Sequence, residues 1–458
     1  MSGSINPVDE EMQNSSSYMY SCISRCEKDI NNNEGLPQDE LSQQKMGADN
    51  INGDLHSITS LQNLEFTEEK IEVVSEIDIV NEPSFFASHH LTRAEKYVPK
   101  EIVSKQNFND IQSISRFFPG NLTTFLGFET RLGDKDNRAD FAFAISGVGR
   151  DRNVLTELLQ NNVLVKNFLK QSEWQQILNF AKAWADPKSV LNNKVQCFWL
   201  EFDMPKKTSE IPIPSVFFGP TKSSEDVTSG DLSRYKWLID EAIPLLKGQK
   251  LSENLSKLII DCLDKMPENG VLFQVGMMLS RDVNVVRLHI NKLMPEQIIP
   301  YLLSIGWRHD TVELRNLIND FKELADRFVI SYDVMENGIG PKIGIELSFS
   351  GNNFQNEKRW KQLLDYLVQK DMCIPEKRDA LLRYPGVDEN DAISGSVMKP
   401  IASATEYPNN LTQSSVVRYI NHVKIVYEPG KPTIAKAYPA VRLFETVEVD
   451  HQTIMTKE

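Results

Sequence analysis

The chain has 458 residues, 40% of them hydrophobic, and a formal net charge of −14. This length suits one large domain or two ordinary ones, and the apolar content suits a soluble globular core. The acidity is uneven. Residues 1–80 carry 16 Asp/Glu against 4 Lys/Arg, while residues 81–458 carry 48 against 46, so the body lacks the basic face of a nucleic-acid binder.

Residues 1–65 are rich in Ser, Asn, Gln and acids and show no apolar period. They cannot bury enough surface to offset their ordering entropy, and are expected to be a disordered acidic tail that recruits a basic protein partner. No charged lead followed by an apolar run opens the chain, and no stretch approaches the length of a membrane span; a cytoplasmic location is expected. The five cysteines, Cys22, Cys26, Cys197, Cys262 and Cys373, are odd in number and widely spaced, which describes no disulfide framework.

Residues 66–120 read as a helical lead-in, with helical pieces at 91–97 and 110–117. From 121 to 446 strand pairs alternate with helix pairs. The strand pairs are 122–132 with 139–146, 194–204 with 214–218, 271–281 with 285–293, 327–335 with 342–350, and 422–427 with 433–444. Helical periods fall between them at 154–169 and 173–185, 232–246 and 251–266, 295–305 and 311–326, 356–370 and 375–383. Residues 386–410 read as a long loop, 413–419 as a short helix, and 447–458 as a C-terminal tail.

Short hairpins make paired strands antiparallel. Alternation along them separates two faces. Val286, Leu288 and Ile290 oppose Arg287, His289 and Asn291; Ile343, Ile345 and Leu347 oppose Lys342, Glu346 and Ser348; Phe198, Leu200 and Phe202 oppose Trp199, Glu201 and Asp203. His422 shares a face with Lys424, and Lys436 with Tyr438. Ten such strands in an open sheet would be very wide and leave two exposed edges. The fold class expected is therefore α+β: a ten-stranded antiparallel β-barrel with a polar lumen, surrounded by helices. A solvated polar face on an open sheet is the alternative.

This ααββ order resembles the barrel of the aromatic prenyltransferases, the ABBA or PT-barrel family, over residues 120–446. Lys436-Ala437-Tyr438 matches the family's K-x-Y strand motif. Arg287-Leu288-His289-Ile290-Asn291 matches its R-x-K-x-Y motif at the arginine, with His289 and Asn291 where lysine and tyrosine stand in the family. The resemblance implies a prenyltransferase that moves a prenyl group from a prenyl diphosphate to an aromatic or peptide acceptor, as in secondary metabolism. A diphosphate needs several fixed positive charges at one spot. Arg287, His289, Lys342, Lys424 and Lys436 are the candidates. Pairing of these cations with Glu346, Asp333 and Glu201 on the same faces is the structural alternative. The resemblance also implies a base near the acceptor, for which Glu129 and Glu346 are candidates. Tyr438 and Trp199 are positioned to shield a carbocation through cation–π attraction. No paired-Asp magnesium motif, P-loop, HExxH or GxSxG occurs; no metal or other cofactor is expected beyond the prenyl diphosphate co-substrate. The alternatives are a non-catalytic barrel that binds a hydrophobic ligand or peptide, and a scaffold protein in a biosynthetic pathway.

Overall fold

The structure, a computed structural model, describes residues 87–161, 168–204, 212–221, 232–281, 283–350, 357–388, 396–401 and 414–448. Twelve strands form one sheet: β1 (Phe125–Arg131), β2 (Ala139–Ser146), β3 (Val195–Phe202), β4 (Ser215–Pro220), β5 (Val271–Met277), β6 (Val286–Asn291), β7 (Arg327–Met335), β8 (Gly338–Ser348), β9 (Gly386–Val387), β10 (Ser396–Pro400), β11 (Ser414–Tyr427) and β12 (Ile434–Glu448). Their order is β10-β12-β1-β2-β3-β4-β5-β6-β7-β8-β11-β9, and β11 also pairs with β12. That last pairing closes ten antiparallel strands into a barrel, with β9 and β10 added outside the ring.

The alternation read from the sequence decides which face points inward. Phe141, Phe143 and Ile145 of β2 and Phe198, Leu200 and Phe202 of β3 are fully buried in the main core. They pack outward against the helix Ser172–Ala185, where Phe180 stacks on Phe198 with ring centroids 4.9 Å apart. On the same helix Trp184 donates from Nε1 to the Val195 carbonyl at 2.8 Å. The main hydrophobic core is thus the shell between barrel and helices, which leaves the lumen for polar groups. Ser104 and Ser252 cap the helices Lys105–Ser115 and Glu253–Asp264, accepting from the amides of Asn107 and Leu255.

Three expectations are corrected. Residues 232–246 are not one helix: a 3₁₀ turn at Leu232–Tyr235 and a π turn at Leu238–Ala242 precede an α-helix at Ile243–Lys247. Pro244 has no amide to give the ladder, which accounts for the break in regular α hydrogen bonding before it. The segment 414–419 is strand, as the start of β11, and Gln413 lies outside the described residues. Val416, Val417, Tyr419 and Ile420 imitate helical spacing because both faces of this strand are buried. Val416 and Ile420 join the main core, while Val417 and Tyr419 join Phe125, Ala440 and Phe444 in a separate cluster with Val387 against it. That second cluster fills one end of the lumen. Finally, the expected loop at 386–410 contains β9, paired with Val417 and Arg418, and β10, paired with β12. The remainder of that loop, and the tail expected at 1–65, lie outside the described residues. Among the described residues no helix is long and apolar enough to cross a membrane.

Candidate active site

The register of five strands assembles the site. Lys436 of β12 lies opposite Arg131 of β1 on one side and Lys424 of β11 on the other; Lys424 in turn lies opposite Glu346 of β8. Two lysines directly opposed across a strand pair repel each other. Each is answered by its own acid: Lys424 Nζ donates to Glu346 Oε1 at 3.0 Å, and Lys436 donates to Glu129 Oε1. The Tyr438 hydroxyl donates to the other oxygen of Glu129. His422, stacked on Tyr438 at 4.0 Å between centroids, and His289, with Nε2 3.5 Å from Glu346, complete the wall.

These groups surround a cavity of about 90 Å³ in the lumen, room for several waters or part of a ligand. Of the residues singled out in the sequence, Glu129, Trp199, His289, Glu346, Lys424 and Tyr438 line it. Lys436 borders it through Glu129. Arg287 is held by Asp333 in a two-pronged bond, with Nε–Oδ1 at 2.7 Å and Nη2–Oδ2 at 3.1 Å. Lys342 lies apart: its side chain is 49% exposed and its Nζ is 3.9 Å from Glu428 rather than from any lumen acid. The strand alternation puts it on the lumen face, but it lies just beyond Ile343, the last residue of β8 that pairs with β11, and there the side chain reaches solvent. The lining also includes residues that the sequence reading did not single out as site residues: Asp140, Glu201, His422, and the rings of Phe125, Phe217 and Phe273. Asp140 and Glu201 were legible in principle, because each falls on the lumen face of an alternating strand.

The electrostatics separate the acids into two kinds. Burial opposes ionisation of Glu129 and Glu346, but the lysines outweigh it and bring both down to about 2. Each is a firmly charged anchor and a weak proton acceptor. Burial, with Glu129 adding repulsion, pushes Glu201 up to about 7 and Asp140 up to about 6. Asp140 accepts from the Met204 amide at 2.8 Å. Burial lowers His289 to about 3 and His422 to about 4, so both imidazoles are neutral at physiological pH. Among the described residues Trp199 Nε1 and His289 Nδ1 are buried without a hydrogen-bond partner, positions where a ligand's polar atoms find unused donors or acceptors. Among the described residues no cluster of three metal-ligating side chains occurs.

Gly344 makes the lysine arrangement sterically possible. A β-carbon there would meet Ser331 Oγ and stand 2.7 Å from Lys424 Cε. Gly344→Ala is expected to push Lys424 off Glu346 and to cost about 1–3 kcal/mol of stability in urea unfolding. An unchanged midpoint would show that the lysine stem has room to move aside.

No family model and no curated protein matches the chain. Solved structures do. PriB, solved as a binary complex with product diphosphate, is 11% identical, with 77% of this chain and 94% of that chain covered and a TM-score of 0.44. The 5-dimethylallyltryptophan synthase from Streptomyces coelicolor is 9% identical, with 78% and 97% covered and a TM-score of 0.43. AnaPT from Neosartorya fischeri is 14% identical, with 71% and 78% covered and a TM-score of 0.37. At these identities and scores the matches say nothing about what the site binds. The chain is similar to these solved prenyltransferase structures. Its own strand pairing closes ten antiparallel strands into a ring inside a jacket of helices, the PT-barrel fold.

Proposed function

We propose that the barrel transfers a prenyl group from a prenyl diphosphate to an aromatic small molecule or peptide held in its lumen. The observation that carries this reading is the convergence at one cavity of aromatic walls (Trp199, Phe125, Phe217 and Tyr438) with two lysine–carboxylate pairs from the four neighbouring strands β8, β11, β12 and β1. Rings of this kind stabilise an allylic cation through their faces. The charge of the diphosphate falls to Lys424, Lys436 and Arg287, each of which exchanges a carboxylate for phosphate oxygens on binding. Side chains then do the work of a metal, and transfer proceeds in the presence of a chelator. On this reading the protein acts in the cytoplasm, in secondary metabolism, with the acidic residues 1–65 as a docking segment for a basic partner; the uneven charge of the sequence supports that last point.

One observation favours a second reading. Arg281, Arg287, Lys424 and Lys436 are each bonded to an acid, so a diphosphate meets no unopposed cation among them. In that case the barrel binds an uncharged hydrophobic ligand or peptide without turnover. The two readings part in a thermal-shift experiment with a prenyl diphosphate and the matching prenyl alcohol, followed by a transfer assay in excess EDTA. Transfer predicts a shift of several degrees with the diphosphate, by mass action, lost in a Lys424→Met, Lys436→Met double variant, and product formed despite the chelator. Equal shifts with the alcohol, and no product across a panel of aromatic and peptide acceptors, would establish the binding barrel instead.

A further inference from the structure

Four cations around the cavity each meet an acid: Lys436 meets Glu129, Lys424 meets Glu346, Arg287 meets Asp333, and Arg281 meets Asp203. Two further acids of the cavity are paired with none of these cations: Asp140, which accepts from the Met204 amide, and Glu201. Glu201 is left over. It lines the cavity, and no hydrogen bond or ion pair among the described residues holds its carboxyl group. Its neighbours in register, Ala142 on β2 and Ser215 on β4, carry no charge. Glu129 repels it, while Lys424, Lys436 and Arg281 attract it from a distance; Arg287 and Tyr438 also lie within its field. The attraction falls short, and burial leaves the group half-ionised near neutrality, at about 7. Two residues along the same strand, Trp199 faces Phe217 across the sheet, and both rings line the same cavity. A carboxyl held by no hydrogen bond or ion pair among the described residues, in one cavity with aromatic rings, is an arrangement that receives a cation.

We propose that Glu201 is the carboxylate that faces positive charge on a bound ligand and accepts its proton. The chemical step rests on the transfer reading above. The allylic C–O bond of the donor breaks and pyrophosphate leaves with its electron pair. A new C–C bond joins the prenyl carbon to the acceptor ring, which becomes cationic. The ring C–H bond then breaks, its electron pair restores aromaticity, and the proton passes to a Glu201 carboxylate oxygen. Glu129 is poorly suited to this last step because Lys436 and Tyr438 already occupy both of its oxygens.

The recognition half is testable without turnover. Choline is permanently cationic, and dimethylbutanol is its uncharged carbon isostere. Isothermal titration of the full chain at about pH 6 and about pH 8.5 is expected to show choline binding about tenfold tighter at the higher pH, because about a tenth of Glu201 is ionised at the lower. The alcohol should show no such dependence, and Glu201→Gln should abolish it for choline. Choline binding that ignores pH, or is unchanged in the variant, overturns the proposal. For the chemical half, Glu201→Gln should lower kcat and remove the acid limb of its pH profile. Product formed as fast by this variant, with the same profile, overturns the assignment and leaves the transfer reading intact. Ionisation-dependent choline binding in a protein that makes no product supports the assignment of Glu201 to the cation and sinks the transfer reading instead.

Discussion

At about pH 8, Glu201→Gln should make the protein more stable than the wild type by about 3 kcal/mol, and below pH 4.5 by only a few tenths. The carboxyl stands at about 7 in the folded chain against an ordinary value of 4.5. Between those values the native state holds a proton that the unfolded chain has released. Above the folded value the group is ionised in both states, and only the native state carries the penalty of a half-buried charge beside Glu129. The amide keeps the shape and removes that penalty, so the gain grows as pH rises from about 4.5 and is complete above about 7. Urea unfolding at three pH values measures it. A difference that stays constant with pH would mean that Glu201 titrates like an exposed carboxylate, and with that its special role would fall. A site residue whose removal stabilises the fold is the expected signature of function retained at the expense of stability.

Glu346→Ala should have the opposite effect and cost about 3–5 kcal/mol. The Glu346 side chain is 7% exposed and binds Lys424, whose side chain is 12% exposed. Deleting it leaves that ammonium facing Lys436 across the strand pair and takes away the partner of His289. A Glu346→Leu, Lys424→Met double variant should recover most of the loss, because removing both charges removes the buried ion with them. A single-variant cost below about 1 kcal/mol, with no coupling in the cycle, would show that water reaches the pair and screens it. Acid provides a second check. The folded-state value near 2, against 4.5, means that the contribution of Glu346 is complete above pH 4.5 and is lost as pH falls toward 2.

Much of the barrel was legible because strand alternation is a local signal. Arg287 and His289, Glu346, and Lys436 with Tyr438 each fall where the two-residue period puts them. The first half of β11 escaped because it is apolar on both faces, which erases the alternation and leaves a spacing that a helix would also show. The site was legible as a set of residue types, and as the alternative of cations paired with acids. Arg287 with Asp333 and Lys424 with Glu346 follow that alternative; Glu201, expected there as a counter-ion, meets no cation in an ion pair among the described residues. What alternation does not carry is which acid meets which base. That depends on register across the ring, on bulges such as the one between Ile420 and His422, and on side-chain reach at the rim, where Lys342 turns to Glu428.

The bond between Glu129 and Lys436 joins residues 307 positions apart, across the pairing of β1 with β12. The ring therefore closes through the longest loop the barrel contains, a contact that forms slowly and late. During synthesis β1 has an unsatisfied edge until nearly the whole chain has emerged, and the chemistry of the lumen sits on that seam. Fragments ending before β12 can build hairpins and helices but no lumen, so cleavage or truncation there should abolish ligand binding altogether and leave an exposed strand edge open to aggregation.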